Sequence, residues 1–255
     1  MPQHRLRAGG VSAVIVLVLA SGAACGPAED AATTSKTASA PARPSAGATA
    51  GATAAASNGV EKLRPAEILA RARKATAAAR YLRMRGQIDD GDGKVAFDFS
   101  FAGATEATGW FQQGKQRVEI TRIGKDVYIK GNKAFLTDIG GKSAVQLLSG
   151  KHLRTTAKSA DFKDLAALTD RTSLMKEALK AAGTWKKGAA GTVAGTPALT
   201  LTGGPGVAIQ VATSGEPYVL RLDGGPGNRI EYLAYGTRVD VRRPPAEAVV
   251  DGDGF

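Results

Sequence analysis

One cysteine, two histidines and 5% aromatic residues among 255 positions exclude more than they suggest. A lone cysteine cannot close an intrachain disulfide, so the chain is no disulfide scaffold. His4 falls in the extreme N-terminal segment, which leaves His152 as the only histidine beyond it. Without a His cluster, an H-E-x-x-H run or a cysteine pair, a zinc site has no ligand set. No G-x-S-x-G turn is present to raise a nucleophilic serine. Gly141-Lys142-Ser143 imitates the end of a phosphate loop, but the opening glycine would have to stand at Leu136. The acidic run Asp89-Asp90-Gly91-Asp92-Gly93 invites a calcium reading that also fails. Aligning Gly93 with the loop glycine puts Ile88 at the first ligand position and Phe99 where Glu is needed. Asp161 and Asp164, three apart on an expected helix, form an ordinary solvated pair rather than an acid/base dyad. The expectation is a chain with no catalytic set, no metal and no cofactor.

Long apolar runs are missing as well. The stretch Val11 to Ala20 is shorter than the ~20 residues that span a bilayer. Arg5 and Arg7 precede it, and Ser21, Gly22, Ala23 and Ala24 follow, as in a cleaved export signal. Cys25 stands directly after those small residues. Gly22-Ala23-Ala24-Cys25 resembles a bacterial lipoprotein signal, with Gly22 where that pattern usually has Leu. The resemblance implies that residues 1–24 are removed and that the Cys25 thiol carries a diacylglyceryl group. The alternative is ordinary cleavage near Ala24, leaving a free thiol. Two acyl chains hold a protein stably where one binds marginally. Lipidation therefore implies a firm anchor on the outer face of the cytoplasmic membrane. Residues 25–59 follow as a tether. From Gly26 to Gly59 the chain is dominated by Ala, Thr, Ser, Gly and Pro with hardly a large apolar side chain, too little to offset the entropy of ordering. As a flexible coil it would reach roughly 30–35 Å.

A folded domain is expected over 60–251. Its organising stretch is Lys94-Val95-Ala96-Phe97-Asp98-Phe99-Ser100-Phe101, with apolar residues at every second position. On a strand Val95, Phe97, Phe99 and Phe101 share one face, which needs an apolar cover. Before it, Pro65 opens a helix whose Ile68, Leu69, Ala72, Ala75, Thr76 and Ala79 recur at helical spacing. Arg71, Arg73, Lys74 and Arg80 occupy its other face, either as a solvated surface or in touch with anionic lipid. Short strands are expected at Tyr81–Ile88, Ala107–Phe111, Gln116–Ile123, Asp126–Lys130 and Ala134–Asp138, separated by tight turns. Loops that short make them antiparallel neighbours. Helices are expected at Lys142–Leu148, Ala160–Leu168 and Ser173–Ala182. Strands resume at Thr184–Lys187, Ala198–Leu201, Val207–Val211, Tyr218–Leu222 and Arg229–Tyr235, with Val239–Val241 as a last edge before Pro244-Pro245. Strands grouped with strands and helices with helices argue α+β.

The lipobox-like Cys25, the tether and the helix-then-meander order resemble actinobacterial lipoproteins of the LppX/LprAFG type. Phe97-Asp98-Phe99-Ser100-Phe101, Val127-Tyr128-Ile129-Lys130-Gly131 and Gly215-Glu216-Pro217-Tyr218-Val219-Leu220 look like strand segments of that group. Over residues 60 to 251 the resemblance implies a LolA-like half-barrel, a strongly curved antiparallel sheet with helices on its concave side. It also implies a cavity for lipid acyl chains. The inward candidates to line it are Leu82, Met84, Val95, Phe97, Phe99, Phe101, Val118, Ile120, Ile209, Val211, Leu220 and Leu222. Two functions remain open. One is a carrier of lipid or lipoglycan; the other is a monomeric interaction or sensing lipoprotein with a filled core. The net charge of +11 suits anionic headgroups or wall polymers, and nothing interleaves aromatic with basic residues as nucleic-acid binding would need. Replacing Cys25 by Ala should release the protein from the membrane fraction into the medium. Continued membrane association of that variant would argue against lipidation.

Overall fold

The computed structural model describes residues 56–89, 93–159, 162–178 and 184–252. The expected signal segment, Cys25, most of the tether and the end of the Ser173–Ala182 helix lie outside the described residues. A short 3-10 turn at Val60–Lys62 leads into α1 (Pro65–Ala78). Six strands follow in a run broken once: β1 (Tyr81–Asp89), β2 (Lys94–Ala102), β3 (Glu106–Gln113), β4 (Gln116–Ile123), β5 (Asp126–Gly131), then α2 (Lys133–Leu148) and β6 (His152–Thr156). Two short helices, α3 (Lys163–Ala167) and α4 (Arg171–Ala178), precede the second run. That run is β7 (Lys186–Val193), β8 (Thr196–Gly204), β9 (Val207–Ala212), β10 (Val219–Gly224) and β11 (Arg229–Leu233). A final β12 (Val249–Asp251) ends the described chain.

All twelve strands form one open sheet in the order β12-β6-β5-β4-β3-β2-β1-β11-β10-β9-β8-β7. Two antiparallel meanders thus meet where β11 pairs with β1, Met84 opposite Tyr232. The helices between the meanders carry the chain from one side of the sheet to the other, so that β7 begins at the far edge. Only β12 departs from the antiparallel pattern, running parallel to β6 with Val250 opposite Leu153. This is an α+β half-barrel. The sheet curves without closing, and its helices pack on one side.

The Phe strand shows why. Phe97, Phe99 and Phe101 of β2 stand opposite Gly86, Met84 and Leu82 of β1 on one side and Phe111, Gly109 and Ala107 of β3 on the other. Each ring thus has one small neighbour, Gly86, Gly109 or Ala107. A Cβ on Gly109 would collide with the Phe99 ring and the Asp98 carbonyl, so only glycine lets β3 approach so closely. Ile68, Leu69 and Ala72 of α1 and Phe135, Leu136 and Leu148 of α2 join these residues in one buried cluster. Every member of that cluster and of a smaller second one lies between Val60 and Val250, so the domain encloses its own core.

Three expectations change. Ala134–Asp138 is helical rather than a strand. The Asn132 side chain accepts a hydrogen bond from the Phe135 N–H at 3.0 Å, capping α2, and adjacent Phe135 and Leu136 are both buried, which strand alternation does not allow. Gly141, at φ 63° and ψ −147°, then kinks α2 in a conformation other residues avoid. Val239–Val241 is not a strand; residues 234–248 form a strap tied down by the Gly236 N–H on the Tyr81 carbonyl and by Arg243 on Asp126. The edge pairing falls instead to β12, after Pro244-Pro245. The segment Thr184–Lys187 contributes only its last two residues, because β7 runs on to Val193.

Phe99 and Phe101 are each 1% exposed. Phe99→Ala should cost ~3–5 kcal/mol in urea unfolding, the usual range for emptying a buried aromatic site. A loss under about 1 kcal/mol would mean that the ring is not packed as described.

Candidate functional site

Among the described residues, the inner face of the sheet leaves a gap lined almost wholly by hydrocarbon. A cavity of about 70 Å³ lies between Met84, Ile88, Val95, Phe97, Phe99 and Phe111 of β1–β3, Leu222 and Ile230 of β10 and β11, and Leu168 and Leu174 from α3–α4. Gly224 and Asn228, at the β10–β11 turn, complete its wall. Strand parity supplies the floor, since every residue contributed by β1 and β2 lies an even number of positions from its neighbours on the same strand. The roof is a tertiary matter. Leu168 follows α3 and Leu174 sits in α4.

Arg171 holds that roof in place. Its buried guanidinium donates to the carbonyls of Ala77 and Ala79, the former at 2.9 Å. These are acceptors that the last turn of α1 cannot satisfy itself, and a cation suits the negative end of a helix. Burial pushes the guanidinium below its ordinary pKa, and nearby Tyr235 and Asp170 pull the other way. Asp170 accepts from the backbone N–H groups of Thr172 and Ser173 at 3.0 and 3.2 Å, capping the start of α4.

A second buried polar knot joins α1 to the sheet. The register of β9 and β10 shifts between Val219 and Arg221. The Val219 N–H donates to Thr76 Oγ1 at 2.9 Å, and the Tyr235 hydroxyl donates to the Val219 carbonyl at 2.5 Å. The Tyr235 ring stacks on Tyr218 with centroids 3.9 Å apart and 4° between planes. Burial drives the phenols of both Tyr232 and Tyr235 well above their ordinary pKa, so both stay protonated.

The twelve inward candidates divide three ways. Met84, Val95, Phe97, Phe99 and Leu222 line the cavity. Leu82, Phe101, Val118, Ile120, Ile209 and Val211 are 0–1% exposed in the same core cluster but do not border the cavity; they fill the half-barrel. Leu220 goes elsewhere. The bulge breaks the alternation, so Val219 enters the main core while Leu220 packs with Ala198 and Ala212 in the second cluster. Cys25 lies outside the described residues. Sequence reasoning missed Ile88, Phe111, Leu168 and Ile230. Parity could have found Ile88, which is two residues beyond Gly86 on the inner face of β1. Leu168 follows no helical stripe that points it inward.

The outer face has a different chemistry. Arg83, Asp98, Trp110, Glu119 and His152 border an open polar cleft of about 360 Å³. Arg83 pairs with Asp98 there, Thr108 and Thr121 share a hydrogen bond at 3.1 Å, and Arg117 stacks over the Trp110 ring at 3.8 Å. Burial, followed by the charge of Lys130, lowers the pKa of His152. Arg83 with Asp98, Thr108 with Thr121 and Arg117 with Trp110 thus pair across strands, while His152 Nδ1 is buried without a hydrogen-bond partner among the described residues.

Comparison with solved structures finds low similarity spread over most of the domain. The lipoprotein LppX of Mycobacterium tuberculosis is 13% identical, with 69% of this chain and 97% of that chain covered and a TM-score of 0.40. An uncharacterised conserved protein of Thermus thermophilus is 13% identical over 73% of this chain and 98% of its own, with a TM-score of 0.35. A chain of the MucA/MucB complex of Pseudomonas aeruginosa is 14% identical over 72% and 59%, with a TM-score of 0.32. Similarity this low assigns neither family nor function. No family model and no curated protein matches the chain.

Replacing Arg171 by Met keeps much of the side chain's bulk but leaves two buried carbonyls without donors. Such losses typically cost ~1–3 kcal/mol each before relaxation. The expected result is faster hydrogen exchange over α3–α4 and the end of α1, with β2–β4 unchanged. Uniform acceleration would show that Arg171 supports the whole domain rather than the roof.

Proposed function

We propose that this chain is a non-catalytic, membrane-anchored lipoprotein of the outer face of the cytoplasmic membrane that accepts the end of an acyl chain beneath α3–α4. The observation that carries the reading is the apolar cavity itself. An apolar gap of this kind stays dry and favours hydrocarbon over water. Its volume, about 70 Å³, sets a limit. Engineered apolar cavities that take benzene measure roughly 150 Å³, and preformed ligand sites ~300–1,000 Å³. The cavity seats a chain terminus, and a whole acyl chain enters only if the roof helices lift from the sheet. Arg171 and Leu174, which tie and line that roof, are the residues the movement would disturb. Lipidated Cys25 would hold the domain at the bilayer from which such a chain comes.

A second reading has its own support. Ile120, Ile209 and Val211 are fully buried away from the cavity, so most of the half-barrel is already occupied by side chains. A filled half-barrel suits a module that presents its outer surface to a partner.

A tryptophan introduced into the cavity wall separates the two. Val95 is partly buried and lines the cavity, whereas Ile120 is 0% exposed in packed core. In the acyl-binding reading, Val95→Trp should weaken uptake of a fluorescent fatty acid at least tenfold with little loss of stability. Overpacking at Ile120 should instead cost ~1–3 kcal/mol. A wild-type protein that takes up no fluorescent fatty acid, or a Val95→Trp variant that binds as before, would sink the acyl-binding reading and leave the interaction module.

A further inference from the structure

The positive charge of the chain is distributed unevenly. On the sheet several arginines pair with carboxylates: Arg85 with Glu231, Arg221 and Arg229 with Asp223, and Arg154 with Asp126. At the N-terminal end of the domain cations outnumber carboxylates, with Lys62 and Lys187 acting on Glu61 and Arg64 and Arg71 on Glu67. There the chain enters at Ser57, which bridges to Ser214, and the Asn58 side chain donates to the carbonyls of Ala212 and Gly215 at 3.0 and 3.1 Å. The 3-10 turn and α1 follow at once. Lys187 of β7 donates to the Glu61 carbonyl at 2.8 Å, which brings the start of the far edge strand to the same place. Along α1, positions 64, 67, 71 and 74 follow one another at helical spacing on its exposed side. Arg64 pairs with Glu67 at 2.9 Å, and Arg71 also acts on the Glu67 carboxyl, which is held below its ordinary pKa first by its hydrogen bond to Arg64. Arg71 and Lys74 make no ion pair among the described residues.

We propose that this stripe, Lys62, Arg64, Arg71 and Lys74 with Lys187 at its end, is a docking surface for the anionic phospholipid headgroups of a bilayer. Two features choose a membrane as the occupant. The stripe begins where the N-terminal part of the chain joins the domain, so an anchor upstream would deliver this surface to lipid first. Its chemistry is charge without an insertable apolar group. The other exposed positions of α1 include Ala66, Ala70 and Ala77, which offer hydrocarbon nothing. Binding is therefore electrostatic and superficial, about additive in the number of cations near the surface and screened by salt. The domain would lie with α1 against the headgroups and the sheet's outer face away from them. The proposal does not require that the cavity take an acyl chain.

The test uses residues 56–255, which contain the whole core and lack Cys25, so that binding is read from the domain alone. Sedimentation with vesicles of phosphatidylcholine, and of phosphatidylcholine with about 30% phosphatidylglycerol, should show partitioning on the order of tenfold or more in favour of the anionic vesicles at about 20 mM salt. At about 200 mM salt most of that preference should disappear. The double variant Arg71→Gln/Lys74→Gln should lose most of it at low salt, while Lys142→Gln/Lys163→Gln, an equal change of net charge on α2 and α3, should retain it. All four positions are exposed, and unfolding curves of both variants should match the parent's. Equal binding to both vesicle types would overturn the proposal. So would an equal loss in the two double variants, which would mean that net charge acts without a defined surface.

Discussion

An open sheet has one face that its own strands cannot cover, and the structure follows from covering it. Twelve strands curve but do not close, so β7 and β12 remain as edges and the inner face must be sealed by other elements. Four helices do the sealing, and their sizes differ. The buried side of α1 supplies Ile68, Leu69 and Ala72, and α2 supplies Phe135, Leu136 and Leu148. The two helices α3 and α4 add Leu168 and Leu174 above the rings of Phe97, Phe99 and Phe111, and the cavity lies between them.

Sealing a curved sheet with helices also buries helix ends and strand irregularities, and buried backbone groups need partners. Arg171 answers for the end of α1. Thr76 and Tyr235 answer for the bulge at Val219, one accepting from its N–H, the other donating to its carbonyl. Both answers draw on residues more than 15 positions away in the chain. The same contacts that complete the fold therefore decide how firmly the roof of the cavity is held. Three buried side-chain atoms have no partner among the described residues: His152 Nδ1, Gln210 Oε1 and the Tyr232 hydroxyl, the last beside β1 at the seam of the two meanders.

On the opposite face Arg83, Arg85 and Arg229 pair with carboxylates of neighbouring strands. Helix α1 instead carries Arg71, Arg73 and Lys74 against the single carboxylate of Glu67, near the junction with the N-terminal segment. Fold and electrostatics thus give the domain two unlike sides, an outer sheet face crossed by ion pairs and a helix with more cations than carboxylates.

Where periodicity was strict, the sequence alone determined the structure. Alternation from Lys94 to Phe101 placed β2 and its inner face, and the tight turns placed β3 to β5, because a two-residue period with a short loop admits one pairing. Helix α1 was legible from Pro65 and its apolar spacing for the same local reason. The tertiary structure decided whatever depended on distant partners. Asn132 turned an apparent strand at Ala134–Asp138 into a helix by capping it, and three-residue β12 exists only because β6 offers it an edge. Leu220 left the inner face because a bulge, stabilised by Thr76 from α1, broke the parity that sequence counting assumes. The cavity belongs to the same class. Strand parity determined which side chains line its floor, but whether a gap remains above them depends on how Leu168 and Leu174 pack from helices held by Arg171. Packing volume is a property of several segments at once, and no single stretch of sequence carries it.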